Sequence, residues 1–105
     1  MLIDFKDEDF EDEIKKEDIS VIQFSAVWCQ PCQTLKPVMS SLSDKYKDKA
    51  KFYYADVEEG AINLASSSSI RGVPSTVIFK KGVEVDRLVG NPGEAKVKEF
   101  LDKSI

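Results

Sequence analysis

Histidine is absent from this chain, and cysteine is scarce, with only Cys29 and Cys32 present. A structural zinc site takes four ligands drawn mainly from Cys and His, so two thiols cannot close one unless a dimer shares the metal. No stretch approaches the roughly 20 apolar residues that cross a bilayer. Nor does any basic cluster offset the formal net charge of −4, so neither nucleic acid nor a membrane surface is an expected partner. No glycine-rich phosphate cradle occurs, and no bound cofactor is expected. The opening residues, Met1 to Glu8, lack a basic leader followed by an apolar core. The expectation that follows is a cytoplasmic protein.

What the chain does have is both of its cysteines in one short motif, Trp28-Cys29-Gln30-Pro31-Cys32, directly after the apolar run Val21-Ile22-Gln23-Phe24. A strand followed by such a motif places the sulfurs at the mouth of a helix, where unpaired backbone N–H groups face outward. That environment favours a thiolate over a thiol. Cys29 is placed for attack on a disulfide, and Cys32, one turn further in, for resolving the mixed disulfide by attacking the sulfur of Cys29. Three plainer readings stand beside this one. A bridge over so short a loop restrains the unfolded chain little and would be a weak staple; a shared zinc would require a dimer; and two unrelated buried thiols would leave the flanking Trp and Pro unexplained.

The rest of the chain supplies a setting for the motif. At 105 residues and 42% hydrophobic content, one domain spanning residues 1–105 is expected. Leu2 to Phe5 alternates like an edge strand, and Asp7 to Lys16 carries Phe10 and Ile14 on one helical face. Ile19 to Phe24 reads as a central strand. Leu35, Val38, Met39, Leu42 and Tyr46 then recur at helical spacing, with Pro37 inside the pattern and a bend expected there. Further strands are expected at Lys51–Val57, Thr76–Phe79 and Glu84–Val89, with Lys80-Lys81-Gly82 as the hairpin turn between the last two. Ala61 to Ser67 is a weak helix, the serines Ser66 to Ser69 its fraying end. Asn91-Pro92-Gly93-Glu94 resembles a capping box opening the final helix. The alternation predicts an α/β fold, a three-layer α/β/α arrangement of a mixed central sheet flanked by four helices.

Taken together, Phe24-Ser25-Ala26, Trp28-Cys29, Pro31-Cys32, Pro37, Asp56-Val57, Arg71-Gly72-Val73-Pro74, Phe79, Gly82 and Gly90 make the chain resemble a thioredoxin over essentially its whole length. The resemblance implies that Cys29 is the attacking thiolate and Cys32 the resolving thiol, closing to a redox-active disulfide. It implies that Pro74 is the family's cis-proline and that Trp28, Gln30, Pro31, Gly72, Val73, Pro74 and Gly90 line a shallow surface for an extended client segment. It also implies a monomer that works on disulfide-containing clients such as peroxiredoxins or reductases. Electrons would reach it from NADPH through a flavoprotein thioredoxin reductase.

Three positions depart from the family pattern. Gln30 stands where a glycine is usual. Gln23 replaces the buried aspartate expected beneath the site, and a glutamine cannot act as a base. The lysine that normally pairs with that aspartate gives way to Tyr53 or Tyr54, so both members of a buried charge pair are lost together. Gln23 is accordingly assigned to tuning Cys32. Besides a protein-disulfide reductase, a disulfide oxidant or isomerase and a non-catalytic clamp subunit fit the same motif.

Overall fold

The computed structural model describes all 105 residues. Five strands form one mixed sheet: β1 (Ile3–Phe5), β2 (Ser20–Ser25), β3 (Lys51–Asp56), β4 (Ser75–Lys80) and β5 (Val83–Val89). Their order across the sheet is β1-β3-β2-β4-β5. The first three run parallel, and β4 turns antiparallel to β2 and β5. Helices α1 (Gln30–Lys45), α2 (Ile62–Ser67) and α3 (Glu94–Ser104) complete the fold with one short helical turn, Phe10–Ile14.

Side chains alternate across each strand, and the two faces collect separate cores. Ile22, Phe24, Tyr53, Val77 and Phe79 meet Ile14 of the short turn and Leu64 and Ala65 of α2 on one face. On the other, Val21, Phe52 and Ile78 meet Leu35, Met39 and Leu42 of α1 and Val97, Phe100 and Leu101 of α3. A large apolar side chain buried in this way contributes roughly 1.5–3 kcal/mol. The helix α1 continues through Pro37.

Three local expectations are revised. The helix expected over Asp7–Lys16 contracts to one turn of π-helix, closed by a bond from the Lys15 N–H to the Phe10 carbonyl. Asp7 is engaged elsewhere: its carboxylate accepts from the backbone N–H groups of Asn63 and Leu64 and so caps α2 from a distant part of the chain. The final helix begins later than the capping-box pattern indicates. Gly93, at φ 105°, is its N-cap with no side-chain bond, while Asn91 accepts from the Gly93 N–H in a turn before the helix. The serines expected as a fraying end and loop form a closed turn after α2. Ser69 takes a left-handed φ of 55°, and the Ile70 and Ser69 N–H groups return to the carbonyls of Ala65 and Ser66. That is the Schellman closure, usually built on glycine.

The β4–β5 turn is as expected. Lys81 and Gly82 both have positive φ, as a two-residue type I′ hairpin requires. Gly82 is also the residue that fits, because a Cβ there would meet the Lys15 side chain at 2.8 Å.

Candidate redox site

Strand β2 ends at Ser25, and Ala26 to Trp28 turn the chain into α1. Cys29 occupies the N-cap in extended conformation, with Gln30 and Pro31 as the first helical residues. A proline in the first helical turn sacrifices only an N–H that has no partner inside the helix. The Cys32 N–H, otherwise such an orphan, points at the Cys29 sulfur at 3.2 Å. Cys29 and Cys32 are joined as a disulfide, their Cα atoms 5.2 Å apart. Cys32 is fully buried and Cys29 is 4% exposed. Any partner therefore approaches from the Cys29 side.

The sheet register explains what faces the sulfurs. Phe24 of β2 lies opposite Ser75 of β4, so the residues entering β4 run alongside those leaving β2. The Val73–Pro74 peptide is cis, and the Val73 carbonyl oxygen lies 3.7 Å from Cys29 Sγ. Two bonds hold this segment. The Ser75 hydroxyl donates to the Gly72 carbonyl at 2.6 Å, and the Gly90 N–H donates to the Pro74 carbonyl at 2.7 Å.

Beside the sulfurs runs a shallow groove of about 230 Å³ lined by Trp28, Val57, Ile70, Arg71, Gly72 and Val73. Trp28 is 70% exposed, and its indole N–H donates to the Glu58 carboxylate at 2.9 Å. The structure thus brings Trp28, Gly72 and Val73 together in one groove, with Pro74 buried next to them and Gly90 joined to it. Gln30 and Pro31 are exposed on the first turn of α1 and do not line the groove. Val57, Ile70 and Arg71 were not expected in its wall, although each adjoins or belongs to a stretch that carries the family pattern. Glu58 has no distinguishing feature in the sequence.

Beneath the site Gln23 is completely buried. Its side-chain N–H groups donate to the Ser25 hydroxyl at 2.9 Å and the Cys32 carbonyl at 3.2 Å. The carbonyl fixes the amide orientation, since only a donor can face it. Gln23 Oε1 has no protein partner. Across the sheet Gln23 pairs with Tyr54 on β3 and Thr76 on β4; Tyr53 faces the opposite core and donates to Glu13. Tyr54 accepts from the Gln33 amide, which also holds the Ala26 carbonyl, and the Lys36 ammonium sits 4.1 Å from the Tyr54 ring centroid. A polar, uncharged Gln23–Tyr54 pair thus occupies the place of the expected aspartate and lysine.

No group of three or more His, Cys, Asp or Glu side chains is arranged to hold a metal ion. No helix is long and apolar enough to cross a membrane.

Comparison with known proteins matches this geometry. The family model described as thioredoxin covers residues 1–103. The thioredoxin of Staphylococcus epidermidis is 31% identical over 104 residues, which is 99% of this chain and 98% of the relative. That of Staphylococcus aureus is 30% identical over the same share of both. With a cysteine pair closed at the start of α1 and a match along nearly its full length, the chain belongs to the thioredoxin family of thiol–disulfide oxidoreductases.

Proposed function

We propose that this chain is a general protein-disulfide reductase and electron carrier, acting as one domain and as a monomer. In the reduced protein the Cys29 thiolate attacks one sulfur of a client disulfide, forming a mixed disulfide and releasing the other client sulfur as a thiolate. Cys32 loses its proton and attacks Cys29 Sγ. The Cys29–Cys32 bond forms, the bond to the client breaks, and two electrons have passed to the client. The observation that carries this reading is the Cys32 N–H aimed at Cys29 Sγ at a helix start, an arrangement that favours negative charge on that sulfur.

The client lies along Gly72, Val73 and Pro74 as an extended segment, pairing with the backbone of Val73 like an added strand. Trp28 and Gly90 flank it, while Gln30 and Pro31 meet it from the helix side. Clients are disulfide-bearing proteins such as peroxiredoxins or reductases. A thioredoxin reductase, a flavoprotein drawing on NADPH, restores the dithiol, and the cycle runs in the cytoplasm, where thiols are kept reduced. No cofactor is bound by the carrier itself.

Gln23 tunes Cys32 through the bond to its carbonyl. Because glutamine cannot accept the proton, the departing client thiolate takes it, directly or through water held by the amide. Insulin reduction with dithiothreitol tests the main reading. The native chain should turn over; Cys32→Ser, reduced and then freed of dithiothreitol, should accumulate a covalent mixed disulfide with insulin, and Cys29→Ser should do neither. A Cys29→Ser protein that retains its biological effect would favour a clamp instead, and a potential far more oxidising than that of glutathione would favour an oxidant.

A further inference from the structure

A partly exposed side-chain cluster outside the groove lies where one of its walls begins. Arg87 and Glu84 lie three apart on β5, a spacing that puts side chains on opposite faces of a regular strand. The register slips between Ile78 and Phe79, so that Asp86 pairs with Ile78 but Glu84 with Phe79, leaving Val85 as the extra residue of a bulge. A bulge re-aims the side chains beside it, and here Glu84 and Arg87 meet. The carboxylate grips the guanidinium with two bonds, from Arg87 Nε at 2.8 Å and Nη2 at 2.7 Å. The remaining donors reach across to the carbonyls of the turn that closes α2. Arg87 Nη2 donates to Ser68 at 2.6 Å and Nη1 to Ser69 at 3.3 Å.

Those carbonyls sit where the chain leaves α2 for the groove. A helix of six residues ending in serines has little stability of its own, and Ser69 holds a left-handed conformation that L-residues disfavour. Ile70, Arg71, Gly72 and Val73 follow at once and form the groove wall. The far end of that wall is tied by Ser75 to Gly72 and by Gly90 to Pro74. Arg87 ties the near end.

We propose that Arg87, oriented by Glu84, is a positioning residue for client binding, holding the Ile70–Val73 wall in its docking geometry without touching the client. This rests on the reading that the groove receives the client. Loosening the wall restores an ordering cost that client binding must then meet, which weakens affinity. Attack on a small disulfide with no peptide needs only Cys29 and is independent of the wall.

Arg87→Gln should therefore raise KM for insulin about fivefold, at roughly 1 kcal/mol, while kcat and the rate with hydroxyethyl disulfide stay within about twofold. Arg87→Lys, which keeps a charge but not the fork, should recover part of the loss. Glu84→Gln should act in the same direction more weakly and serves as the test should Arg87→Gln fold poorly. Tyr53→Phe, altered on β3 away from the groove, controls for lost stability and should leave KM unchanged. Val73→Asp separates the two claims. If it raises the insulin KM and neither Arg87→Gln nor Glu84→Gln does, the positioning role is overturned and the groove stands; if it has no effect, the groove reading itself falls. Equal slowing of insulin and the small disulfide by Arg87→Gln would also overturn the proposal.

Discussion

Gln23→Asp separates a proton-relay role at this position from a structural one. The native amide is fully buried, holds Ser25 and the Cys32 carbonyl, and leaves Oε1 unpartnered. A carboxyl buried to that degree has its pKa raised by up to about 3–5 units from a reference near 3.9. The Ser25 hydroxyl can turn to donate to it, which favours the lower end, so titration near 7 is expected. That is where a general base is most effective, and such bases contribute about 10²–10⁴-fold when well placed. Asp is shorter than Gln and its aim is imperfect, so about a tenfold gain is the working figure. The sign for stability is unfavourable. A folded pKa above the unfolded one means that stability present below about pH 4 is lost as pH rises toward 7, roughly 4 kcal/mol over three units at 1.36 kcal/mol each. The assay is stopped-flow reaction of the reduced protein with an aromatic disulfide. The first aromatic thiolate is released on attack by Cys29, the second on resolution by Cys32. The second phase should accelerate about tenfold near pH 7 in the variant, the first staying unchanged. A second phase unchanged between about pH 6 and 8, in a variant with native circular dichroism, would refute the relay and leave Gln23 a structural strand residue.

Other substitutions test the supporting structure. Ser69→Gly relieves the left-handed serine at the end of α2 and should stabilise the chain by about 0.5–1 kcal/mol in urea unfolding. Asp7→Ala removes the carboxylate that accepts from Asn63 and Leu64 and should destabilise by about 1–2 kcal/mol, with faster amide exchange at those two residues. Burial first, and the Glu13 carboxylate second, push the Tyr53 phenol well above its ordinary value of 10.0. A raised folded value means that stability is intact below that pH and falls as pH climbs past it, by up to about 1.4 kcal/mol per unit for this group. Tyr53→Phe should flatten that part of the alkaline decline in a pH series of denaturant midpoints.

What the chain reveals by reading alone is what short-range pattern controls. Continuous β-branched and aromatic runs located β2 and β4, helical spacing located α1, and a glycine free to take positive φ located the Lys80-Lys81-Gly82 turn. The cysteine motif fell at the β2–α1 junction for the same reason. Contacts between distant residues were not legible. Nothing near Asp7 indicates that its partners are Asn63 and Leu64, and nothing near Trp28 points to Glu58. The two tyrosines that could have faced Gln23 are distinguished only by strand register, which selects Tyr54. The helix-start pattern at Asn91 misled because the Asn91 side chain bonds the Gly93 N–H in a turn and the helix begins after it. The Arg87–Glu84 clasp depends on a bulge, and one extra residue in a strand leaves no mark in composition or period.

The central claim is that the helix start holds charge on Cys29 and that Cys32 waits behind it. Alkylation of the reduced protein by iodoacetamide, followed against pH and mapped by peptide mass, tests this most directly. The account predicts modification at Cys29 alone, with a midpoint well below the free-cysteine value of about 8.5. Modification shared between Cys29 and Cys32, or a Cys29 midpoint equal to that of a free peptide thiol, would contradict it.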